Sequence, residues 1–172
     1  LRQPAMAELT PKERLQPSLL DRLTDEEPER QQESREQRVL SMNRLRECVL
    51  RDLAWLFNAT RMSDEEMSAH YPFAARSALN FGLPALAGAT ARSLEINDLE
   101  QNLRQAILDF EPRILRNSLR VRVNLTAEQM SHNALTFEVE GDLWAQPLPL
   151  QLYLKTEIDL ESGQVKVEES NR

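Results

Sequence analysis

Cysteine, glycine and lysine are scarce in this sequence of 172 residues, and each scarcity excludes a class of site. The single cysteine, Cys48, excludes an intramolecular disulfide framework and a cysteine-rich zinc site. The four glycines do not cluster, which excludes a phosphate-cradling loop and a dinucleotide-binding turn. Lysine occurs three times against 18 arginines, and the planar arginine side chain suits paired carboxylates and protein interfaces.

Long apolar runs are lacking as well. None approaches the ~18–20 residues that span a bilayer, and no signal-peptide pattern opens the sequence, so we expect a soluble, cytoplasmic protein. The net charge of −7 argues against a protein that binds nucleic acid by neutralising phosphates. His70 and His132 lack the spacing of metal ligands, and we expect neither a metal nor a cofactor.

Residues 1–33 have the composition of an arm attached to a separate domain. Thr10 followed by Pro11 is a helix-start signal. Apolar residues then recur at the spacing of a short amphipathic helix: Leu15, Leu19, Leu20 and Leu23. Residues 25–33 are polar and charged, which predicts a flexible linker. The leucines either bind a partner as an amphipathic helix in a groove, or pack on the chain's own core.

Residues 34–58 carry the clearest helical pattern in the sequence. Apolar residues recur three or four apart at Met42, Leu45, Val49, Leu53 and Leu56. Cys48 lies beside this stripe, so we expect it to be a small core residue.

Two shorter segments also carry helix signals. Ser63 and Glu66 form a capping box, which predicts a short helix ending near Tyr71. Residues 77–82 predict one helical turn that is closed by Gly82.

A second long helix is predicted before Pro112. Asn97 with Glu100 has the spacing of another cap pair, and the apolar face that follows ends near Glu111, because a proline disfavours helical geometry at the residue before it.

Beyond Pro112 the apolar period changes from that of a helix to two. Alternation predicts three strands and a short closing strand, at residues 119–125, 135–140, 148–160 and 165–167. Helices followed by strands indicate an α+β fold, with N-terminal helices packed on a C-terminal, mostly antiparallel sheet of three to four strands. We expect residues 34–172 to form this single domain.

The segment Glu111-Pro112-Arg113 joins the last predicted helix to the first strand. Pro112 stiffens the backbone, so the bend presents one carboxylate and one guanidinium in a fixed arrangement. Such a bend suits bidentate contact with another chain. It equally suits an internal ion pair that joins the helix end to the sheet. The chemistry of the residues alone does not favour either interpretation.

Catalytic patterns are weak. Glycoside hydrolysis requires two acids, one of them in an apolar pocket. Glu111 follows an apolar helix face, but Arg113 favours its ionised form. We therefore name no catalytic residue and expect a protein without enzymatic activity.

Several motifs together resemble a known family. Glu111-Pro112-Arg113 resembles the Glu-Pro-Arg signature of the phage-tail baseplate wedge family, whose bacterial members are the TssE subunits of type VI secretion systems. Residues 15–25 (LQPSLLDRLTD) resemble the start of those proteins, and residues 51–59 (RDLAWLFNA) resemble a helix end in them. Tyr71-Pro72 and residues 77–84 (SALNFGLP) resemble another block, with phenylalanine where the family has tyrosine. The resemblance spans roughly residues 10–168.

The resemblance implies a structural role in a cytoplasmic baseplate. The expected partners are the wedge proteins TssF and TssG, the adaptor TssK and the sheath subunits, whose polymerisation the protein would template. Glu111, Pro112 and Arg113 would face the wedge core. Two alternatives remain: a muramidase-like hydrolase of cell-wall glycan, a label that some relatives carry, and a small regulatory adaptor.

Overall fold

A computed structural model describes residues 18–24, 29, 42–62, 69–88, 95–124, 133–145 and 149–169. Helices occupy the N-terminal half of the chain and a four-stranded antiparallel sheet occupies the C-terminal half, which confirms the predicted α+β class. Several predictions concern features outside the described residues: the helix start at Thr10, the capping box, most of the linker, Leu15 and His132.

The two long helices follow the predicted apolar pattern. In the described residues the helices are α1 (Leu19–Leu23), α2 (Met42–Asn58), α3 (Pro72–Ala75) and α4 (Ile96–Phe110), with a 3-10 turn at Ala78–Asn80. The described part of the first long helix is confirmed by α2. The predicted end near Glu111 is also confirmed, because the Glu111 N–H closes α4 on the Ile107 carbonyl at 2.8 Å.

Two helix starts differ from prediction. Asn97 is not a cap: α4 begins at Ile96 after Glu95, and the Glu100 carboxylate accepts a hydrogen bond from the Val123 N–H at 2.8 Å instead. A contact with a distant strand has therefore replaced the predicted local one. Pro72 opens the new short helix α3, because proline is compatible with the first helical position.

The sheet is a simple meander. Its strands are β1 (Arg120–Asn124), β2 (Ala134–Leu143), β3 (Leu150–Asp159) and β4 (Val165–Glu169), and their spatial order equals their order in sequence. Val139 lies opposite both Val121 and Leu154, so the apolar residues of three strands line one face. This register is the one expected from an alternation of period two.

The core lies between that face and the two long helices. Helix α2 packs beside β4 and α4 packs beside β1. The Phe57 ring meets Phe137 edge-on, with centroids 5.2 Å apart, which joins α2 to the middle of the sheet. Leu53 and Leu103 are fully buried, and such side chains each contribute about 1.5–3 kcal/mol. Cys48 is buried in this core, as predicted.

Gly82 lies shortly after the 3-10 turn, in the loop that follows α3. Its backbone φ of +127° is one that residues with a side chain rarely adopt. A Cβ atom at this position would also lie 2.3 Å from the Ala59 carbonyl oxygen. The close approach lets Leu83 donate to that carbonyl and lets Arg61 donate to Leu83, both at 2.8 Å. The loop is thus fixed against the end of α2, close to the bend that follows α4.

Candidate functional site

The Glu111-Pro112-Arg113 bend connects α4 directly to the sheet. Beyond the helix end, the Arg113 carbonyl accepts a hydrogen bond from Trp144 N–H at 2.7 Å, and Ile114 forms an antiparallel bridge with Leu143. Both ends of the bend are therefore held by backbone contacts. Pro112 is exposed between them.

The two charged side chains of the bend bond to each other. Arg113 Nε donates to Glu111 Oε1 at 2.6 Å and Arg113 Nη2 donates to Oε2 at 2.5 Å, which is a bidentate pair. The Arg113 backbone N–H also donates to Oε1, at 3.1 Å. Glu111 is 3% exposed, so its carboxylate is desolvated and depends on this partner. The ion pair is thus internal to the chain, while the backbone of the bend makes the contacts with the sheet.

This pair is the end of a longer chain of ion pairs. Arg113 Nη2 also donates to Asp52 Oδ2 at 2.6 Å, and Arg51 donates to the other oxygen of Asp52 at 2.8 and 2.9 Å. Arg51 Nη1 reaches Asp21 of α1 at 2.7 Å. The five residues, which we call the ion-pair chain, join α4, α2 and α1 and carry a net charge of −1.

Asp21 fixes α1 at the far end of the ion-pair chain. Burial opposes its ionised form, but hydrogen bonds from Ser18 and Arg51 outweigh burial and lower the pKa of Asp21 to about 2. Its carboxylate is therefore ionised at neutral pH. The Arg51 guanidinium also lies over the Trp55 ring, 5.1 Å from the centroid, so the same arginine orders an aromatic side chain.

An apolar groove of about 530 Å³ opens beside the ion-pair chain. Its apolar lining includes Leu20, Leu53, Trp55, Phe81, Phe110 and Pro112. Phe81 and Phe110 meet edge-on, with centroids 5.1 Å apart, and Trp55 is 53% exposed. Asp52, Glu111 and Arg113 form the polar side of the groove. The arrangement combines an aromatic surface with fixed charges, which is typical of protein-binding sites.

The predicted arm leucines are placed differently from one another. Leu20 lines the groove, whereas Leu19 and Leu23 are 71% and 74% exposed. Leu19 and Leu23 thus do not pack on the chain's own core within the described structure. The polar side of α1, through Asp21, is what binds α2.

Both edges of the sheet are closed in part by polar side chains from the helices. The Asn58 amide donates to the Val165 carbonyl at 2.8 Å and accepts from the Val165 N–H at 3.0 Å, so it imitates a neighbouring strand at β4. At β1 the Glu100 carboxylate holds the Val123 N–H. These contacts occupy backbone groups that would otherwise be open to another strand.

The sequence indicates Glu111, Pro112, Arg113 and the arm leucines as site residues, but it does not indicate Asp21, Asp52 or Asn58. Asp52 lies 61 residues before Arg113, and Asn58 lies 107 residues before Val165. A local sequence pattern does not predict contacts between residues that lie so far apart in the chain. Arg51 enters the sequence analysis only as part of residues 51–59, which resemble a helix end in the family.

Two classes of site find little support in the described residues. Within these ranges, no group of three or more histidine, cysteine, aspartate and glutamate side chains is placed to hold a metal ion. Glu111 uses both oxygens to hold Arg113, so it is arranged as an ion-pair partner and not as the proton donor of a glycosidase.

Of the described helices, none has the length and apolar character needed to cross a membrane.

Comparison with known proteins gives one match. The family model described as baseplate wedge protein gp25 matches residues 43–148, which is more than half of the chain. The matched range contains α2 apart from Met42, the bend and the first two strands, and therefore most of the ion-pair chain. No curated protein and no solved structure matches the chain.

Proposed function

The chain belongs to the baseplate wedge protein gp25 family, and we propose that it is a structural subunit that docks on its partners through the Glu111-Pro112-Arg113 bend. Membership in this family supports a structural role in a phage-tail-like baseplate. The finer assignment is to the baseplate of a type VI secretion system in the cytoplasm. It is supported by the resemblance of residues 15–25, 51–59 and 71–84 to TssE subunits.

The observation that carries the docking proposal is the rigidity of the bend beside an open groove. Arg113 is held by two carboxylates, and the backbone on both sides of it is bonded to α4 or to the sheet. A side chain that is ordered before binding loses little conformational entropy when a partner arrives. The exposed Pro112 and Trp55 then provide apolar contact area next to the fixed charges.

The proposed partners are the wedge proteins TssF and TssG at the bend, together with the adaptor TssK and the sheath subunits. The exposed leucines of α1, Leu19 and Leu23, provide a second contact for the wedge. For sheath templating, a strand from a sheath subunit would add to one edge of the sheet. Such a strand would replace the Asn58 amide at β4 or the Glu100 carboxylate at β1.

Co-purification with the wedge and sheath proteins encoded beside this chain tests the proposal. Arg113→Ala alone is a poor variant, because it leaves the buried Glu111 carboxylate without its partner. The double variant Glu111→Gln/Arg113→Met removes both charges and keeps similar side-chain volume, so the fold should persist. Arg76→Ala, which breaks the pair between the exposed Arg76 and Asp109, is the matched control.

We expect wild type and Arg76→Ala to retain the wedge proteins, and the folded double variant to lose them. Retention by the double variant would reject the bend as the docking element. If wild type binds none of the neighbouring proteins, the baseplate role itself fails. A peptidoglycan turbidity assay on the same preparation then tests the hydrolase alternative, for which we expect no clearance.

A further inference from the structure

The residues that line the groove beside the bend indicate the chemical character of the segment that binds there. Family membership alone does not indicate it. Its floor and walls are apolar and aromatic, while its polar side belongs to the ion-pair chain. We propose that this groove accepts an apolar segment of a partner protein that carries one lysine or arginine directed at Asp52. The proposal rests on the proposed docking function of the bend and deepens it.

The sign of the partner's charge follows from the ion-pair chain. Three carboxylates face two guanidiniums, so the ion-pair chain is one positive charge short of neutrality. Arg113, whose charge alone would suggest an acidic partner, is already bonded to both Glu111 and Asp52. An incoming carboxylate would meet like charges that are only partly screened, whereas a cation would restore neutrality.

Exposure decides which carboxylate the partner reaches. Glu111 is 3% exposed and has both oxygens bonded to Arg113, so it is not accessible. The Asp52 side chain is 25% exposed and lines the groove. A carboxylate oxygen accepts more than one hydrogen bond, and within the described residues Oδ2 of Asp52 accepts one, from Arg113 Nη2. Asp52 is therefore the contact point for the partner's cation.

Helix α1 already occupies one side of the groove with the same combination of groups. It contributes Leu20 to the apolar lining, and the adjacent Asp21 bonds to Arg51. The proposed partner segment repeats this arrangement with the opposite sign, an apolar side chain in the groove and a cation on Asp52. Trp55 lines the same groove, is exposed, and lies under the Arg51 guanidinium.

Two short synthetic peptides test the sign of the charge. Both have the same leucine face and lack tryptophan, and they differ by one arginine or one glutamate beside that face. The full chain carries Trp144→Phe, which leaves Trp55 as the fluorescent reporter in the groove. We expect the arginine peptide to shift Trp55 emission and to bind about tenfold more tightly than the glutamate peptide at low salt.

Asp52→Asn and Asp109→Asn provide the matched pair of variants. Each removes one paired carboxylate, but Asp109 belongs to the separate pair with Arg76 and does not line the groove. The preference for arginine should disappear in Asp52→Asn and persist in Asp109→Asn. Equal binding of the two peptides, preference for glutamate, or no binding by either would overturn the proposal. Wedge co-purification can succeed in each of those cases, so the docking function is judged separately.

Other occupants of the groove are distinguished by a photo-cross-linking amino acid in place of Trp55. In the full chain without peptide, a cross-link to residues 1–17 or 25–41 of the same molecule would show that the chain fills its own groove. A cross-link between two copies would show self-association there. Either result overturns the proposal, whereas a cross-link that forms only with the arginine peptide supports it.

Discussion

The ends of the two long helices are held in two contrasting ways, which we call the charged joint and the neutral joint. At the end of α4, the joint is charged: Arg113 binds Glu111 and Asp52 beside an open groove. At the end of α2, the joint is neutral: the Asn58 amide pairs with the backbone of Val165. A neutral amide satisfies backbone groups and has no dependence on pH or salt. The charged joint requires desolvated carboxylates to keep their partners, and this requirement fits a surface that also recognises another chain.

The largest loss of stability at either joint is expected in Arg113→Ala, at the charged joint. The variant leaves Glu111 buried without a cation, and we expect it to lower the free energy of unfolding by about 3 kcal/mol. Urea denaturation followed by circular dichroism measures the loss. Glu111→Gln/Arg113→Met should recover most of it. If the double variant is as unstable as Arg113→Ala, the cost arises from lost packing and not from an unpaired charge.

A smaller loss is expected at the neutral joint. Asn58→Ala removes both hydrogen bonds to Val165 and exposes that part of the β4 edge, which should cost about 1–3 kcal/mol. Sedimentation should also show more self-association, because an open edge accepts other strands. Asn102→Ala is the control, since Asn102 accepts a hydrogen bond from Arg61 and holds no strand edge. Equal behaviour of the two variants would mean that the amide at β4 is dispensable.

Acid should release α1 from the charged joint without affecting the neutral one. The pKa of Asp21 is lowered from 3.8 to about 2, so its stabilising contribution is present above 3.8 and is lost as the pH falls towards 2. In a chain that carries Trp144→Phe, Trp55 emission should change over the same range, because Arg51 lies over the Trp55 ring. Asp21→Asn should abolish that transition. A transition that survives in Asp21→Asn would assign the signal to another group.

The smallest effect is expected at the pair of Arg76 and Asp109, in which the arginine is exposed. Arg76 is 62% exposed, so solvent screens its attraction to Asp109. We expect the urea midpoint of Arg76→Ala to stay within experimental error of wild type. A clear shift would show that exposed and buried ion pairs contribute alike here, which would remove the basis for treating the ion-pair chain as special.

The sequence predicts those parts of the fold that depend on local pattern. The spacing of Leu45, Val49 and Leu53 predicts α2, alternation predicts the strands, and Pro112 predicts the end of α4. Asn97 was misassigned, because a capping pattern cannot show that Glu100 bonds to a strand.

The candidate site was predictable only in part. The stiffness and the charges of the bend indicate it as a site. Whether its ion pair is internal depends on contacts that form only in the folded chain. Asp21 and Arg51 are 30 residues apart, and Arg113 and Asp52 are 61 apart. Periodicity carries no information about which charged residues meet at such distances. The groove is likewise formed by three helices and a loop that meet only in the folded chain.

The most direct test of the docking claim compares affinity with stability at the two joints. Isothermal titration calorimetry would measure binding of the purified wedge proteins to wild type, Glu111→Gln/Arg113→Met and Asn58→Ala. We expect the double variant to lose at least about tenfold in affinity with little loss of stability, and Asn58→Ala to lose stability with unchanged affinity. Affinity that falls only in proportion to stability in both variants would contradict a docking role for the bend.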